Sequence, residues 1–209
     1  GAKGALLNMA KNYGKTFSDQ DAQVHVDNWR RNNTWAGNQY GEGGAWEAFD
    51  NAVRWAFDSN HPVKVGHCDV LVKNGYLWLR LPSGRTIAYP KVVGRESYTT
   101  PWGASKRGPT FQSSIRPAAG NPPIRKPLRG AVLFQNATQG TAADILRAAL
   151  LKADAAGIEI IGHVHDEIIY EGPREDGERL NEIMLEVPGW AQGLPLATGG
   201  VEWGTRYGK

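Results

Sequence analysis

Between Ile160 and Glu171 the chain reads I-I-G-H-V-H-D-E-I-I-Y-E, and four of the five residues His163, Val164, His165, Asp166 and Glu167 can hold a metal ion or a proton. A mostly apolar run arrives and a second, Ile168 to Tyr170, leaves. Runs rich in β-branched residues form strands, and the acidic pair at their junction suits the turn of a tight hairpin. A carboxylate fixed at a hairpin tip between two buried strands is poorly hydrated, and Mg²⁺ sites use such carboxylates. Asp also favours turns for purely local reasons, so the tripeptide on its own favours a structural hairpin.

The elements that must position these residues can be read in order. Ala5 to Asn12 has helical composition, with Gly14 at the place of a C-terminal cap. Ser18 with Asp21 resembles a capping box and opens a helix with Ala22, Val26 and Trp29 on one face, ending at Arg30-Arg31-Asn32-Asn33. Trp46, Phe49, Val53 and Phe57 recur at helical spacing from Ala45 to Ser59, and burial tendencies place these aromatic residues in a core. After Pro62 the pattern changes. Asn74-Gly75 between Asp69–Lys73 and Tyr76–Leu81 predicts a hairpin, and Pro82-Ser83-Gly84 turns the chain again into Arg85–Tyr89, giving an antiparallel meander. Helical spacing returns from about Leu133 to Ala156, with Ala142, Ile145, Leu146, Ala149 and Leu150 on the buried face and Gly157 as a stop. A helix over Asp176–Leu185 and a closing strand within Leu194–Lys209 complete an α+β chain.

Composition limits the function classes. The 209 residues are 41% hydrophobic with eight Trp, enough for a core, and the single Cys68 excludes an internal disulfide framework or a Cys-based zinc site. No apolar run approaches the ~18 residues that span a bilayer, and no signal peptide is legible, so a cytoplasmic protein without a membrane partner is expected. The net charge of +3 permits a nucleic-acid partner without requiring one. Placement says more, since Lys91 to Arg129 carries eight basic residues against the single acid Glu96. Within it, residues 98-129 are rich in Pro, Gly and Ser and lack periodicity, which predicts a long irregular basic loop.

Several of these stretches, in the same order, resemble the A-family DNA polymerases, the group of bacterial DNA polymerase I. His165-Asp166-Glu167 is similar to their motif C, and Asn136-Ala137-Thr138-Gln139-Gly140-Thr141-Ala142-Ala143-Asp144-Ile145 to the helix before it, with its DNA-contacting glutamine. Leu81-Pro82-Ser83-Gly84-Arg85 with Tyr89-Pro90, Thr100-Pro101-Trp102-Gly103 and Trp190-Ala191-Gln192-Gly193-Leu194-Pro195 resemble the phage branch. The resemblance implies a helical C-terminal part of the fingers at 1-64 and the second half of an antiparallel-sheet palm at 65-209. Gly1 to Leu6 looks like the segment following the nucleotide-binding helix, so an N-terminal polymerase fragment is expected in trans or by splicing.

The chemistry so implied is dNTP addition to a primer 3′-hydroxyl on a primer-template, with two Mg²⁺ ions as cofactors. Asp166 would be one metal carboxylate, the other lying outside this sequence, and Glu167 a supporting acid, because successive strand side chains face opposite ways. The resemblance assigns His165 to the primer backbone. The Gln139 amide can donate to minor-groove acceptors present on every base pair. Arg85, with Arg125, Lys126 and Arg129 of the basic loop, would hold phosphates. Two other readings stay open. One is a catalytically inactive DNA-binding remnant. The other is a hydrolase metal site built from His163, His165 and Asp166 or Glu167, a ligand set that suits Zn²⁺ or Fe²⁺.

Overall fold

The computed structural model describes residues 2–37, 43–99, 103–115, 117 and 119–207. Thr100, Pro101 and Trp102, the core of one phage-like motif, lie outside the described residues, as does Arg116. The fold is α+β, with all strand pairing antiparallel wherever its register is described. The chain divides into two compact units, residues 1–79 with 87–135 and residues 80–86 with 136–209.

Helices α1 (Ala2–Asn12), α2 (Asp19–Asn32) and α3 (Gly44–Ser59) open the first unit. α1 closes as the sequence predicts: Gly14 takes φ 66°, Lys15 N–H donates to Ala10 O and Gly14 N–H to Lys11 O. Ser18 caps α2 by accepting from the Asp21 N–H at 3.1 Å. Ala22 and Val26 are buried, but Trp29 is 46% exposed and stacks on Trp46 with centroids 6.1 Å apart, so that face is only partly core. α3 buries Phe49, Ala52, Val53 and Ala56, one face of its turns, and packs on β1 (Val63–Val65) and β2 (Cys68–Lys73). Asn74 and Gly75 both have positive φ, the backbone a type I′ hairpin needs, and turn β2 into β3 (Tyr76–Arg80). β4 (Thr86–Pro90) completes a four-stranded meander whose inner face holds Val70, Leu77 and Leu79, all fully buried.

Part of the irregular loop expected at 98-129 is instead strand in a second sheet, while the described residues between 113 and 124 hold no strand or helix. β5 (Val93–Thr99), β6 (Ser105–Gln112) and β7 (Arg125–Pro127) pair antiparallel in that order. Its strands hide from a hydropathy reading because a polar network ties them: Thr110 donates to Glu96, and Arg125 donates to Glu96 at 2.8 Å, to Thr110 at 2.7 Å and to the Lys91 carbonyl at 2.6 Å.

α4 (Gly130–Ala155) starts where the Gly130 N–H donates to Asp50 Oδ1 at 2.6 Å. Ala149 is buried and Ile145, Leu146 and Leu150 are half-buried as the spacing predicts, whereas Ala142 is exposed. Gly157 at φ 77° ends the run. In the second unit, Ala153, Ile158 and Leu180 form a small core onto which Ile160, Ile168, Tyr170, Ile183 and Met184 pack. These come from the end of α4 and the link that follows it, from β8 (Ile160–Val164) and β9 (Glu167–Tyr170), and from α5 (Arg174–Leu185).

The tail holds no strand among the described residues, contrary to expectation. It is held by side chains: Thr198 donates to Asn181 at 2.6 Å, and Trp203 stands edge-on to Tyr170 under the Arg174 guanidinium. Trp203 and Tyr170 close over Gly177, where a Cβ would come within 2.4 Å of the Tyr170 hydroxyl. No helix among the described residues is long and apolar enough to cross a membrane.

Candidate active site

β8 and β9 pair with Val164 opposite Glu167 and His163 opposite Ile168, which leaves His165 and Asp166 as the two-residue loop. The turn is therefore His165-Asp166, and the acidic pair expected to form it is split, with Glu167 on the strand. His165 takes φ 53° while Asp166 stays at negative φ, a left-handed first position that hairpins usually give to glycine. Holding a non-glycine residue there costs on the order of 1–3 kcal/mol.

The strands are less buried than expected. β8 has no buried residue, β9 is half-buried throughout, and both His165 and Asp166 are exposed. Among the described residues no third strand pairs with this ribbon, and from it Ile160, Ile168 and Tyr170 pack on the Ala153, Ile158 and Leu180 cluster. The exposed Asp166 carboxylate forms no hydrogen bond or ion pair with a described residue, so it is free to act as one oxygen ligand of the kind that hard cations take. Glu167 differs, because its Oε2 accepts from the Tyr207 hydroxyl at 3.2 Å. Nothing in the sequence pattern pointed to Tyr207.

Gln139 lies exposed on α4. The turn between β3 and β4 is closed by the Leu81 N–H donating to Arg85 O at 2.7 Å, with Gly84 at φ 88°. From it, Arg85 Nε donates to Asp144 Oδ1 at 2.6 Å, one terminal nitrogen donates to the Gly140 carbonyl at 2.9 Å, and Ser83 donates to the other Asp144 oxygen. Much of the guanidinium expected to meet a phosphate is thus committed inside the chain.

The basic residues of the second sheet divide the same way. Arg125 is consumed by Glu96, Thr110 and Lys91, and it lies on the sheet rather than on an open loop. The Thr110 hydrogen bond and the Arg125 guanidinium hold the Glu96 carboxyl below its ordinary value. Lys126 is exposed and has no described partner, and Arg129 sits with its guanidinium carbon 5.7 Å from the Tyr98 ring centroid. Lys126 and Arg129 belong to the first unit, whereas His165, Asp166, Glu167, Gln139 and Arg85 belong to the second.

Among the described residues no three of His, Cys, Asp and Glu gather as a metal-binding group. The hydrolase set is not assembled, because His163 remains on the ladder while His165 has left it for the loop.

No family model matches the chain, and no solved structure matches it. Over 206 residues, 96% of its length, it is 32% identical to the DNA polymerase of Bacillus phage SP02. The chain is similar to a phage DNA polymerase. It spans 29% of that polymerase's length, and the aligned span takes in nearly the whole of this sequence.

Proposed function

We propose that this chain is part of a template-directed DNA polymerase, with residues 1-64 in the fingers and 65-209 in the C-terminal half of the palm. The observation that carries the reading is the 32% identity to a phage DNA polymerase across 96% of the chain. A carboxylate at Asp166 that is exposed and has no partner among the described residues, and an exposed amide at Gln139, support it.

The reaction joins the primer 3′-oxygen to the α-phosphorus of a dNTP and breaks the bond to the bridging oxygen, so that pyrophosphate leaves. Mg²⁺ bound at the site would supply Lewis-acid chemistry, favouring loss of the 3′-hydroxyl proton to solvent and offsetting charge on the leaving pyrophosphate. Asp166 would hold metal from the open tip of its hairpin, beside a second carboxylate contributed by polymerase residues outside this sequence. Glu167, steadied by Tyr207, is the supporting acid, and His165 faces the primer backbone. Gln139 donates to purine N3 or pyrimidine O2 in the minor groove, which tests pair geometry without reading sequence. Lys126 and Arg129 contact phosphates, which positions DNA.

The test is primer extension with Mg²⁺ and dNTPs, using this chain alone, the remaining polymerase portion alone, and the two together. Extension requiring both, and lost when Asp166→Ala is introduced, is the expected result. Undiminished extension by the Asp166→Ala mixture overturns the assignment.

A further inference from the structure

Asp144 is the only charged residue among the described ones that is buried, and three side chains converge on it. Arg85 and Ser83 reach it from the turn between β3 and β4, and Arg147, one helical turn further on, lies at 3.6 Å. Arg85 also bonds the Gly140 carbonyl. Gly140 and Asp144 are four residues apart, so one guanidinium grips α4 at two points on a single face, across the turn that begins next to Gln139.

Two grips on one face fix both the height of that turn and its rotation about the helix axis. At ~100° per residue, the direction of Gln139 follows from the placement of Gly140. A 10° rotation moves an amide held about 6 Å from the axis by about 1 Å, enough to lose a hydrogen bond to a base edge. Displacements of that size can cost on the order of 100-fold in rate.

We propose that Arg85, acting through Asp144 and Gly140, is a positioning residue that sets the aim of Gln139 at the minor groove. Its role is indirect: its Nε and one terminal nitrogen are committed to α4. This rests on the minor-groove reading of Gln139 given above.

The experiment measures single-nucleotide extension by the complete polymerase on two primer-templates that differ only at the primer-terminal base, guanine or 3-deazaguanine, which lacks the N3 acceptor. Arg85→Gln is expected to lower kcat/KM about tenfold on guanine and less than twofold on 3-deazaguanine. In a Gln139→Ala background it should add no further loss on either. Ser83→Ala, which keeps the ion pair, should shift the same ratio by about two- to threefold and serves if Arg85→Gln does not fold. Equal losses on both primers, for Arg85→Gln or for Ser83→Ala where only that variant folds, mark a structural ion pair and overturn the inference. If Gln139→Ala itself is indifferent to the missing N3, the minor-groove reading of Gln139 fails and this inference fails with it.

Discussion

The Tyr207 hydroxyl donates to the Glu167 carboxylate at 3.2 Å across 40 residues of sequence, so the last described residue reaches back to the hairpin that carries Asp166. The phenol is 54% exposed, and an exposed hydrogen bond contributes little stability. Tyr207→Phe should therefore leave the unfolding midpoint almost unchanged while lowering primer extension by roughly two- to fivefold, since only the orientation of Glu167 is lost. Parallel melting and extension assays check this; a large drop in melting temperature would mean that the contact anchors the tail.

Asp166 stands exposed and unpartnered among the described residues, so its removal should leave folding alone. Asp166→Ala is expected to change unfolding free energy by no more than about 0.5 kcal/mol, as other exposed substitutions do. Extension by the complete polymerase should fall by at least about 1000-fold, and chelation of Mg²⁺ by EDTA should do the same without shifting the melting curve.

Two adjacent cations in β7 should behave oppositely. Lys126→Ala should lower the slope of log affinity against log salt for duplex DNA by about one, with stability intact. Arg125→Ala removes three hydrogen bonds, one of them to Glu96, so it should destabilise the protein and leave the salt slope unchanged wherever it stays folded. Titrations of both variants at several salt concentrations separate the roles.

Glu96 also gives stability a pH dependence of known sign. Its folded pKa lies below the ordinary 4.5, held down first by the Thr110 hydrogen bond and then by Arg125. The stabilisation is fully present above 4.5 and is lost as pH falls through the lower folded value. Urea unfolding between neutral pH and acid should show a steeper loss for the native protein than for Glu96→Gln over that window.

Gly130 admits no side chain. A Cβ there would lie 1.8 Å from the Trp46 carbonyl oxygen and 2.8 Å from the Asp50 nitrogen, both backbone atoms of α3. Gly130→Ala should destabilise by about 3 kcal/mol or more, because backbone cannot yield as a flexible side chain can. Denaturant titration measures it, and a loss under about 1 kcal/mol would show that the start of α4 moves freely.

What the sequence determined by itself was local. The Ser18 cap, the Asn74-Gly75 turn, the helical spacing of Phe49 and Val53, the Gly157 stop and the existence of a hairpin around Asp166 all follow from interactions within a few residues, which leave a pattern in the chain. The polymerase-like stretches were legible in a different way, as contiguous runs of residues that resemble a known family. Tertiary structure decided the rest, through contacts between residues far apart. The pairing of Arg85 with Asp144 spans 59 residues and that of Arg125 with Glu96 spans 29, and neither leaves a spacing that could be read in advance. The sheet of β5, β6 and β7 went unseen because a polar network, rather than an apolar face, holds it. The turn fell on His165-Asp166 because register is settled by the pairing of Val164 with Glu167 across the two strands, which the alternation along either one does not specify.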